Sequence, residues 1–371
     1  MTSFCYQIGS IRVNPATVQA PMEGITDRPF REIIRSMGGC GLTVTEFVSA
    51  AQVKEKTTRR AHSALDLGTR EHPVAVQIFG RDPEQMARAA EHVQALGADI
   101  IDLNMGCPSK SVTSGKPAGA ALMREPKLVR AIVRTIVERV TIPVTVKMRL
   151  GWASDCQNAV EVARIVAGEG AQQIAVHGRT REMVYGGVAD WAAVRPVVEA
   201  VDVPVLVNGD ILTVGDARTA LSLSHAAGVM VGRGLMRNPW LLRQIADAMN
   251  GDPVFAPTVA QRREALFRVV DAIDSKELHD RAALGRIKQV AGYFTRGVAR
   301  TDEVRNAVYR AQSPDEARDT LDRFFAGLSE REGEELFEVI DYGAFDARLR
   351  TGDSRTLTAR DPGAKGSPEN K

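Results

Sequence analysis

Cys107 gives the clearest local signal for chemistry in the sequence. It lies in the segment NMGCPSKSV, directly after an apolar run and between Gly106 and Pro108. The glycine lets the backbone approach a ligand, and the proline stiffens the loop. Because an ordinary thiol has a pKa of about 8.5, it is mostly protonated at neutral pH and can act as a general acid as well as a nucleophile. Position alone leaves a second interpretation open, since a free cysteine is more often a buried apolar group.

The other apolar runs of the sequence also end in polar or charged residues. These ends hold Pro21-Met22-Glu23, Glu46, Gln77, Asn104, Lys147 with Arg149, His177 with Arg179, Asn208 with Asp210, and Gly232-Arg233. If the runs are the strands of one barrel, their ends meet above its apolar interior. A buried polar layer costs free energy for every unpaired group, so the pattern predicts a bound ligand.

The last two of these ends, NGDI and GRG, are candidate phosphate loops. In (β/α)8 barrels the loops after the last two strands often hold a phosphate. Gly209 and Gly232 let backbone N–H groups approach an anion, and Arg233 can add a charge-assisted contact. Asn208 and Asp210 complete this candidate site. The spacing is also compatible with glycines that serve only as turn residues.

Lys147 lies among Pro, Val, Thr and Met residues in the segment PVTVKM (143–148), with no carboxylate next to it in sequence. An inward lysine there predicts either an anionic partner, such as the N1–C2=O edge of a reduced flavin, or a structural ion pair with another strand end. Gln77 and Asn104 are able to hydrogen-bond the polar edge of an isoalloxazine or a base. His177 fits either this site or the core, where single histidines are often found.

Eight short runs rich in β-branched residues predict the strands that position these side chains. They are TVQAP (17–21), LTVTEF (42–47), PVAVQIFG (73–80), DIIDLNMG (99–106), PVTVKMRLG (143–151), QQIAVHGRT (172–180), PVLVNGD (204–210) and GVMVGRG (228–234). Amphipathic stretches such as PEQMARAAEHVQALGA separate most of them, which indicates parallel strands joined by helices. Eight such units over about 230 residues have the size of a (β/α)8 TIM barrel, an α/β fold. A doubly wound sheet is disfavoured because no GxGxxG follows the first strand.

A second, all-helical unit follows the barrel. From about residue 255 the strand pattern stops, and the sequence up to residue 328 predicts four helices separated by polar turns. We therefore expect a catalytic barrel over residues 1–250 and a small all-helical C-terminal domain over residues 255–328. The tail at 329–371 ends in DPGAKGSPENK, whose Gly, Pro and charge content predicts partial disorder.

Composition excludes several classes of protein. With 371 residues, 44% of them hydrophobic, the chain can bury a large core and is not a disordered polymer. The net charge of +2 means that any affinity for nucleic acid must come from a local patch. Four scattered cysteines without a CxxC pair argue against a disulfide framework or a metal site and favour the reducing cytoplasm. We expect no signal peptide, because the N-terminal segment MTSFCYQIGSIRVNPATV has no basic n-region and no apolar h-region. We expect no membrane segment, because no stretch of about 18 apolar residues occurs, and nothing indicates more than a monomer.

Taken in order, the motifs resemble the bacterial tRNA-dihydrouridine synthases, flavoenzymes that reduce uridines in the D-loop of tRNA. The resemblance spans about residues 12–328 and rests on APMEGITDRPFR (20–31), TEFVSA (45–50), VQIFG (76–80), DLNMGCPSKSV (102–112), VKMRLGW (146–152), VHGRT (176–180), NGDI (208–211) and VGRG (231–234). NMGCP followed by VHGRT is the most specific pair.

The resemblance implies a role for each residue of the site. The ring of an FMN cofactor would contact the loop Pro21-Met22-Glu23, Gln77 and Lys147. Its phosphate arm would be surrounded by Asn208, Gly209, Asp210, Gly232 and Arg233. The pocket that meets the uracil or the flavin would be lined by Asn104, Arg149, His177 and Arg179, with His177 on the flavin side. Cys107 would be the catalytic acid.

The implied reaction has two halves. NADPH first reduces FMN and leaves; hydride then passes from flavin N5 to C6 of uracil while the Cys107 thiol protonates C5. A uridine in the tRNA elbow must leave its stack to reach a flavin in a barrel mouth, as for other enzymes that act on bases.

The C-terminal helices carry the basic residues expected to contact tRNA phosphates. They are Arg262, Arg263, Arg268, Lys276, Arg281, Arg286, Lys288, Arg296, Arg300, Arg305 and Arg310. Without the resemblance, these residues are also compatible with an ordinary solvated helix surface. The segment ALGRIKQVAGYFTRGV resembles the family's C-terminal domain, but Ile287-Lys288-Gln289-Val290 stands where an Arg/Lys-His pair is frequent.

Two alternatives remain open at this point. One is another FMN barrel oxidoreductase that acts on a free pyrimidine, which the helical domain and the NMGCP/VHGRT pair disfavour. The other is a non-catalytic RNA-binding relative, which the presence of Cys107, Lys147 and both phosphate loops disfavours.

Overall fold

The computed structural model describes residues 4–53, 59–69, 71–114, 117–274, 279–295 and 301–328. Within these ranges the strands are β1 (Tyr6–Ile8), β2 (Ile11–Val13), β3 (Thr17–Gln19), β4 (Leu42–Val44), β5 (Val48–Ser49), β6 (Val74–Phe79), β7 (Ile100–Met105), β8 (Val144–Arg149), β9 (Gln173–His177), β10 (Val205–Asn208) and β11 (Gly228–Val231).

Eight parallel strands close into a barrel. Neighbours follow the order β3, β4, β6, β7, β8, β9, β10 and β11, and β11 pairs with β3 again. Each of these strands falls within one of the eight predicted runs, so the predicted (β/α)8 barrel is confirmed. The register sets Asn104 opposite Lys147 and Arg149 opposite His177, which places the polar strand ends side by side.

Helices connect the strands on the outside of the barrel. In the described ranges they are α1 (Arg28–Ser36), α2 (Ala50–Val53), α3 (Arg59–Ala64), α4 (Pro83–Ala95), α5 (Lys110–Thr113), α6 (Pro126–Val137), α7 (Ala159–Gly168), α8 (Arg195–Val198), α9 (Val214–Ser224), α10 (Arg233–Arg237) and α11 (Leu241–Asn250), with 3-10 helices at Gly119–Arg124 and Ala192–Val194. Asp27 and Asp82 cap α1 and α4 by accepting a first-turn N–H at 3.2 and 2.7 Å. The apolar faces of the helices pack on the sheet; in α6, for example, Ile132 and Ile136 are fully buried.

A short antiparallel hairpin, which the sequence did not predict, precedes the barrel. In it β1 pairs with β2, with Tyr6 opposite Val13. Both side chains share a core with Ala75 and Ile100, which lie near the amino ends of their strands. The hairpin therefore covers the end of the barrel opposite the polar strand ends. Two three-residue strands are too short to stand out as apolar runs.

Four helices form the C-terminal part of the described chain, as predicted: α12 (Val259–Asp274), α13 (Asp280–Phe294), α14 (Asp302–Arg310) and α15 (Pro314–Ala326). Their core also contains Ile33, Met37 and Trp240 from the barrel side, so the helical unit packs directly on α1. The domain limits at residues 250 and 255 stay predictions. The predicted tail at 329–371 lies outside the described residues, as do Lys276, Arg296 and Arg300. No helix in the described ranges combines the length and apolar character needed to cross a bilayer.

Candidate active site

A cavity of about 620 Å³ opens at the carboxyl ends of the barrel strands. This volume is in the range of small-molecule and cofactor sites. Every residue predicted for the site lines the cavity except Arg179. The lining ones are Pro21, Met22, Glu23, Gln77, Asn104, Cys107, Lys147, Arg149, His177, Asn208, Gly209, Asp210, Gly232 and Arg233. The barrel thus brings together side chains that are far apart in the sequence.

Cys107 lines this cavity from the loop that follows β7. The Oδ1 atom of Asn104 accepts hydrogen bonds from the backbone N–H groups of Gly106 at 3.1 Å and Cys107 at 2.9 Å. Gly119 packs against the loop with a φ of 57°, and a Cβ there would lie 2.9 Å from the carbonyl oxygen of Cys107. Burial raises the pKa of the Cys107 thiol, although a backbone hydrogen bond from Ser109 opposes the effect. The thiol is therefore protonated at neutral pH, as a general acid requires.

Lys147 lies on β8 beside this loop. Burial lowers its pKa from 10.5 to about 8, the nearby charge of Arg149 adds to the effect, and the negative charge of Asp102 opposes it. Among the residues that the structure describes, the ammonium has no hydrogen-bond or ion-pair partner. A buried charge is most stable beside an opposite charge, so this lysine fits an anionic ligand better than a structural ion pair.

Arg149 ties the loop after β7 to the loop after β9. Its Nε donates to the Gly106 carbonyl at 2.7 Å, and its Nη1 donates to the Thr180 carbonyl at 2.8 Å. Burial lowers the pKa of Arg149 to about 10, so the guanidinium is charged at neutral pH. The guanidinium also lies 5.8 Å from the ring centroid of Tyr185. Arg149 can thus hold the Cys107 loop and present positive charge to the cavity.

Arg179, which the sequence predicts to contact the substrate, does not line the cavity. Its Nε and Nη2 donate to the carbonyls of Gly186 at 2.9 Å and Gly187 at 2.8 Å, and Nη2 also donates to Asp210. Its Nη1 lies 3.2 Å from Nε2 of His177. Burial, and then the surrounding positive charges, lower the pKa of His177, so the neutral ring accepts this hydrogen bond. Arg179 therefore positions two residues of the cavity wall.

The two glycine loops after β10 and β11 lie next to each other. Nδ2 of Asn208 donates to the Met230 carbonyl at 2.8 Å, which ties the two strand ends together. Asp210 accepts a hydrogen bond from Arg233 at 3.0 Å and holds the arginine beside the cavity. Gly209 has a φ of 110°, and a Cβ there would lie 2.9 Å from the neighbouring histidine ring, so glycine is required. A glycine cradle beside an arginine fits the phosphate of a flat, polar ligand such as FMN.

Sequence reasoning missed several aromatic residues of this cavity. Tyr185, in the loop after β9, is 55% exposed, and its ring centroid lies 5.2 Å from the guanidinium of Arg233. Tyr293 lines the cavity from α13 of the helical unit. Phe47 follows β4 and packs edge-on against Phe79, with ring centroids 5.4 Å apart. Phe47 lies within the motif TEFVSA at the end of a predicted strand, whereas no local pattern marks Tyr185 and Tyr293, which long-range packing brings to the site.

The helical unit also supports the loop that contains Met22 and Glu23. Arg286 on α13 donates to the carbonyl of Gly24 and lies 3.5 Å from the carboxylate of Asp27, the cap of α1. The first cavity loop is thus held by the barrel on one side and by the helical unit on the other.

Many of the cations predicted to contact tRNA are used within the helical unit. Arg263 pairs with Asp322, and Nζ of Lys288 donates to the Ala311 carbonyl at 2.6 Å. Other side chains make no hydrogen bond or ion pair with any residue that the structure describes: Arg268, Arg281 and Arg310. Among the described residues, fewer of these cations are therefore without a partner than the sequence suggests.

Within the described ranges, no group of three or more His, Cys, Asp or Glu side chains could hold a metal ion. All four cysteines are described, and none forms a disulfide.

Comparison with known proteins gives a family match over most of the chain. The sequence model of the family described as Dihydrouridine synthase (Dus) matches residues 18–329. A protein of Rhodobacter capsulatus named "Probable tRNA-dihydrouridine synthase" is 46% identical over 271 residues, which cover 70% of this chain and 82% of that protein. The "tRNA-dihydrouridine synthase B" of Proteus vulgaris is 35% identical over 328 residues, which cover 86% of this chain and 98% of that protein.

One solved structure that resembles this fold is a histamine dehydrogenase from Rhizobium sp. 4-9. It matches with a TM-score of 0.52 at 15% sequence identity, over 71% of this chain and 50% of that one. A likeness at this identity concerns the fold alone, and it agrees with the barrel architecture.

Proposed function

The chain belongs to the dihydrouridine synthase family, and from this premise we propose that it is an FMN-dependent tRNA-dihydrouridine synthase that uses NADPH. It reduces the C5=C6 bond of specific uridines in the D-loop of tRNA, with Cys107 as the proton donor. The observation that carries this proposal is a single cavity in which three features meet: a protonated thiol, a half-buried lysine without a hydrogen-bond or ion-pair partner among the described residues, and two adjacent glycine loops.

FMN is the cofactor that we propose for this cavity. When bound, it would supply the hydride for C6 of the uracil, with NADPH as the reductant. Lys147 would hold the N1–C2=O edge of the ring, and Gln77 and the loop Pro21-Met22-Glu23 would complete the ring site. The phosphate arm is held at the two glycine loops, by Asn208, Gly209, Asp210, Gly232 and Arg233. The neutral ring of His177, which accepts a hydrogen bond from Arg179, borders the ring site.

Cys107 completes the reduction by transferring its thiol proton to C5 of the uracil. The transfer leaves a thiolate, which takes a proton from solvent before the next turnover. Lys147 and Arg149 stabilise this thiolate because both place positive charge near the sulfur. Asn104 fixes the loop that carries the thiol, and with Arg149 it binds the uracil. The residues of the chain therefore position the base, donate one proton and favour the anion that results.

The substrate is a uridine extruded from folded tRNA, because a stacked base cannot enter a cavity inside a barrel mouth. The helical unit, which we assign to residues 255–328, contacts the RNA, while residues 1–250 form the catalytic barrel. Tyr293 of the helical unit lines the cavity, which supports the proposal that RNA bound to the helical unit reaches the catalytic site of the barrel. Arg268, Arg281 and Arg310 are the phosphate contacts that we propose on the helical unit, because their side chains are not used within the described protein.

We also propose that the enzyme works as a monomer in the cytoplasm. One chain supplies both the barrel and the helical unit around the cavity. Its four cysteines form no disulfide, as is usual for proteins of a reducing compartment.

Replacing Cys107 by alanine separates the two half-reactions. The Cys107→Ala variant is expected to bind FMN and to be reduced by NADPH at the parent rate, because the thiol acts only on the uracil. Its reoxidation by tRNA should fall by about 100-fold or more, the usual contribution of a general acid. The control is Cys156→Ala, at an exposed cysteine outside the cavity, which should behave as the parent. Parent-like reoxidation of Cys107→Ala by tRNA, in stopped-flow flavin absorbance, would contradict the assigned role.

A further inference from the structure

A chain of buried polar side chains runs from the barrel interior to the Cys107 loop. Asp102 on β7 is 2% exposed and does not line the cavity. Its Oδ1 accepts a hydrogen bond from Thr145 Oγ1 at 2.6 Å, and its Oδ2 accepts one from Gln77 Nε2 at 2.6 Å. Gln77 Oε1 in turn accepts from Asn104 Nδ2 at 2.9 Å. Asn104 Oδ1 then accepts the backbone N–H of Cys107 at 2.9 Å.

The two ends of this chain fix the orientation of both amides between them. At one end, burial raises the pKa of Asp102, but the hydrogen bonds from Thr145 and Gln77 and the charge of Lys147 favour the carboxylate. A carboxylate can only accept from the Gln77 amide, so Gln77 turns its NH₂ group inward and its oxygen toward Asn104. At the other end, two backbone N–H groups need an acceptor, so Asn104 must turn its oxygen toward them and its NH₂ group toward Gln77. The two requirements agree, and reversing either amide would set two donors against each other.

We propose that Asp102 is a positioning residue: it holds Gln77 in the orientation that accepts a hydrogen bond from Asn104, and it thereby supports the bond from Asn104 to the backbone of Cys107. The inference rests on the proposed function for its catalytic meaning, because Cys107 is the proton donor there. The claim that Asp102 positions the Cys107 loop concerns only the described side chains and does not depend on a reaction with tRNA.

This polarity also determines what the cavity offers to a ligand. Gln77 and Asn104 both line the cavity. Each amide nitrogen has two N–H groups and uses one of them in the hydrogen bonds described above, so one N–H of each remains for a ligand. The wall at this point is therefore a donor surface, which suits the carbonyl oxygens of a flavin or a uracil. Without an acceptor at position 102, the inward N–H of Gln77 is left unpaired, and the hydrogen bond from Asn104 alone holds the Gln77 amide.

The first test replaces Asp102 by leucine, which has a similar shape but accepts no hydrogen bond. In the FMN-loaded enzyme, the rate at which iodoacetamide alkylates Cys107 is compared by peptide mass spectrometry with that of the exposed Cys156. We expect this ratio to change by about fivefold or more in Asp102→Leu, since loss of one buried acceptor releases the chain. Oxidation of the reduced enzyme by tRNA should slow by about tenfold or more, with reduction by NADPH less affected. An unchanged alkylation ratio would overturn the proposal.

A second test exchanges donor and acceptor, and it decides the matter if Asp102→Leu does not fold. In Gln77→Glu, the new carboxylate faces that of Asp102 with no proton between them. In Asp102→Asn, the single amide oxygen must accept hydrogen bonds from both Gln77 and Thr145. In the double variant the new amide at position 102 donates to the new carboxylate at position 77 and accepts from Thr145. The second carboxylate oxygen at position 77 then accepts from Asn104, which keeps its orientation.

The Cys107 alkylation ratio should therefore shift in both single variants. In the double variant it should return to within about twofold of the parent, because the two changes compensate each other. A double variant no closer to the parent than the worse single variant would refute the proposal.

The alkylation readout also separates this proposal from the proposed function. The alkylation assay needs neither tRNA nor turnover. If the parent enzyme forms no dihydrouridine, the proposed function is overturned, while the alkylation rates of the variants still decide the role of Asp102.

Discussion

Replacing Lys147 by methionine should stabilise the FMN-free protein and weaken its binding of FMN. The lysine is half-buried without a hydrogen-bond or ion-pair partner among the described residues, and desolvation lowers its pKa from 10.5 to about 8. Because each pKa unit corresponds to about 1.4 kcal/mol, the charge lowers the free energy of unfolding at pH 7 by roughly 2 to 3 kcal/mol, after allowance for solvent in the cavity. Methionine has a similar length and carries no charge, so the variant should recover that stability.

The pH dependence of this gain has a definite sign. Below pH 8 the lysine is charged in both the folded and the unfolded chain, so the full cost of burial is present. Between pH 8 and 10.5 the folded protein loses the proton first, and the cost disappears as the unfolded chain also becomes neutral. The advantage of Lys147→Met over the parent should therefore be largest at pH 7 and close to zero near pH 10.5.

Urea unfolding of the FMN-free proteins at both pH values measures this difference. Lys127→Met, at an exposed position on α6, is the control and should change stability by less than about 0.5 kcal/mol. FMN titration should show an affinity at least about tenfold weaker in Lys147→Met at pH 7, because the ring loses its cation. A variant less stable than the parent at pH 7, or an advantage that does not shrink with rising pH, would refute the reasoning.

Two further substitutions test how the cavity is held. Gly209→Ala should weaken FMN binding by about tenfold or more, because its φ of 110° and the neighbouring histidine ring leave no room for a Cβ. The control Gly215→Ala, on α9 with ordinary contacts, should bind FMN as the parent does. If calorimetry gives Gly209→Ala the same FMN affinity as the parent, this account is contradicted. Arg286→Ala should speed proteolysis between the barrel and the helical unit and raise the KM for tRNA several-fold, since it removes a contact with the first cavity loop. A proteolysis rate and a KM for tRNA that both equal those of the parent would contradict this support.

The barrel was predictable because its signals are local. Each strand is a short β-branched run, and the polar residues that end the runs meet wherever eight parallel strands close. The hairpin was not predictable, since each of its strands has three residues. Tyr185 and Tyr293 were missed because a loop and a distant helix bring them to the cavity.

Arg179 shows the limit of reasoning from strand ends. Its position in VHGRT predicts a contact with the ligand, yet the carbonyls of a later loop and the carboxylate of Asp210 occupy its guanidinium. These partners come from other parts of the chain, so spacing within the motif does not contain them. The prediction of RNA-contacting cations on the helical unit has the same limit. Some of these side chains, such as Arg263 and Lys288, have partners elsewhere in the fold that the sequence does not reveal.

The most direct test of the central claim is the formation of dihydrouridine by the purified protein. tRNA from cells that lack the gene is incubated with the FMN-loaded protein and NADPH, and dihydrouridine is measured position by position by mass spectrometry. We expect dihydrouridine to appear at one or a few D-loop positions that lacked it. A tRNA pool whose D-loop uridines all remain unreduced, with a protein that binds FMN and is reduced by NADPH, would contradict the assignment of tRNA as the substrate.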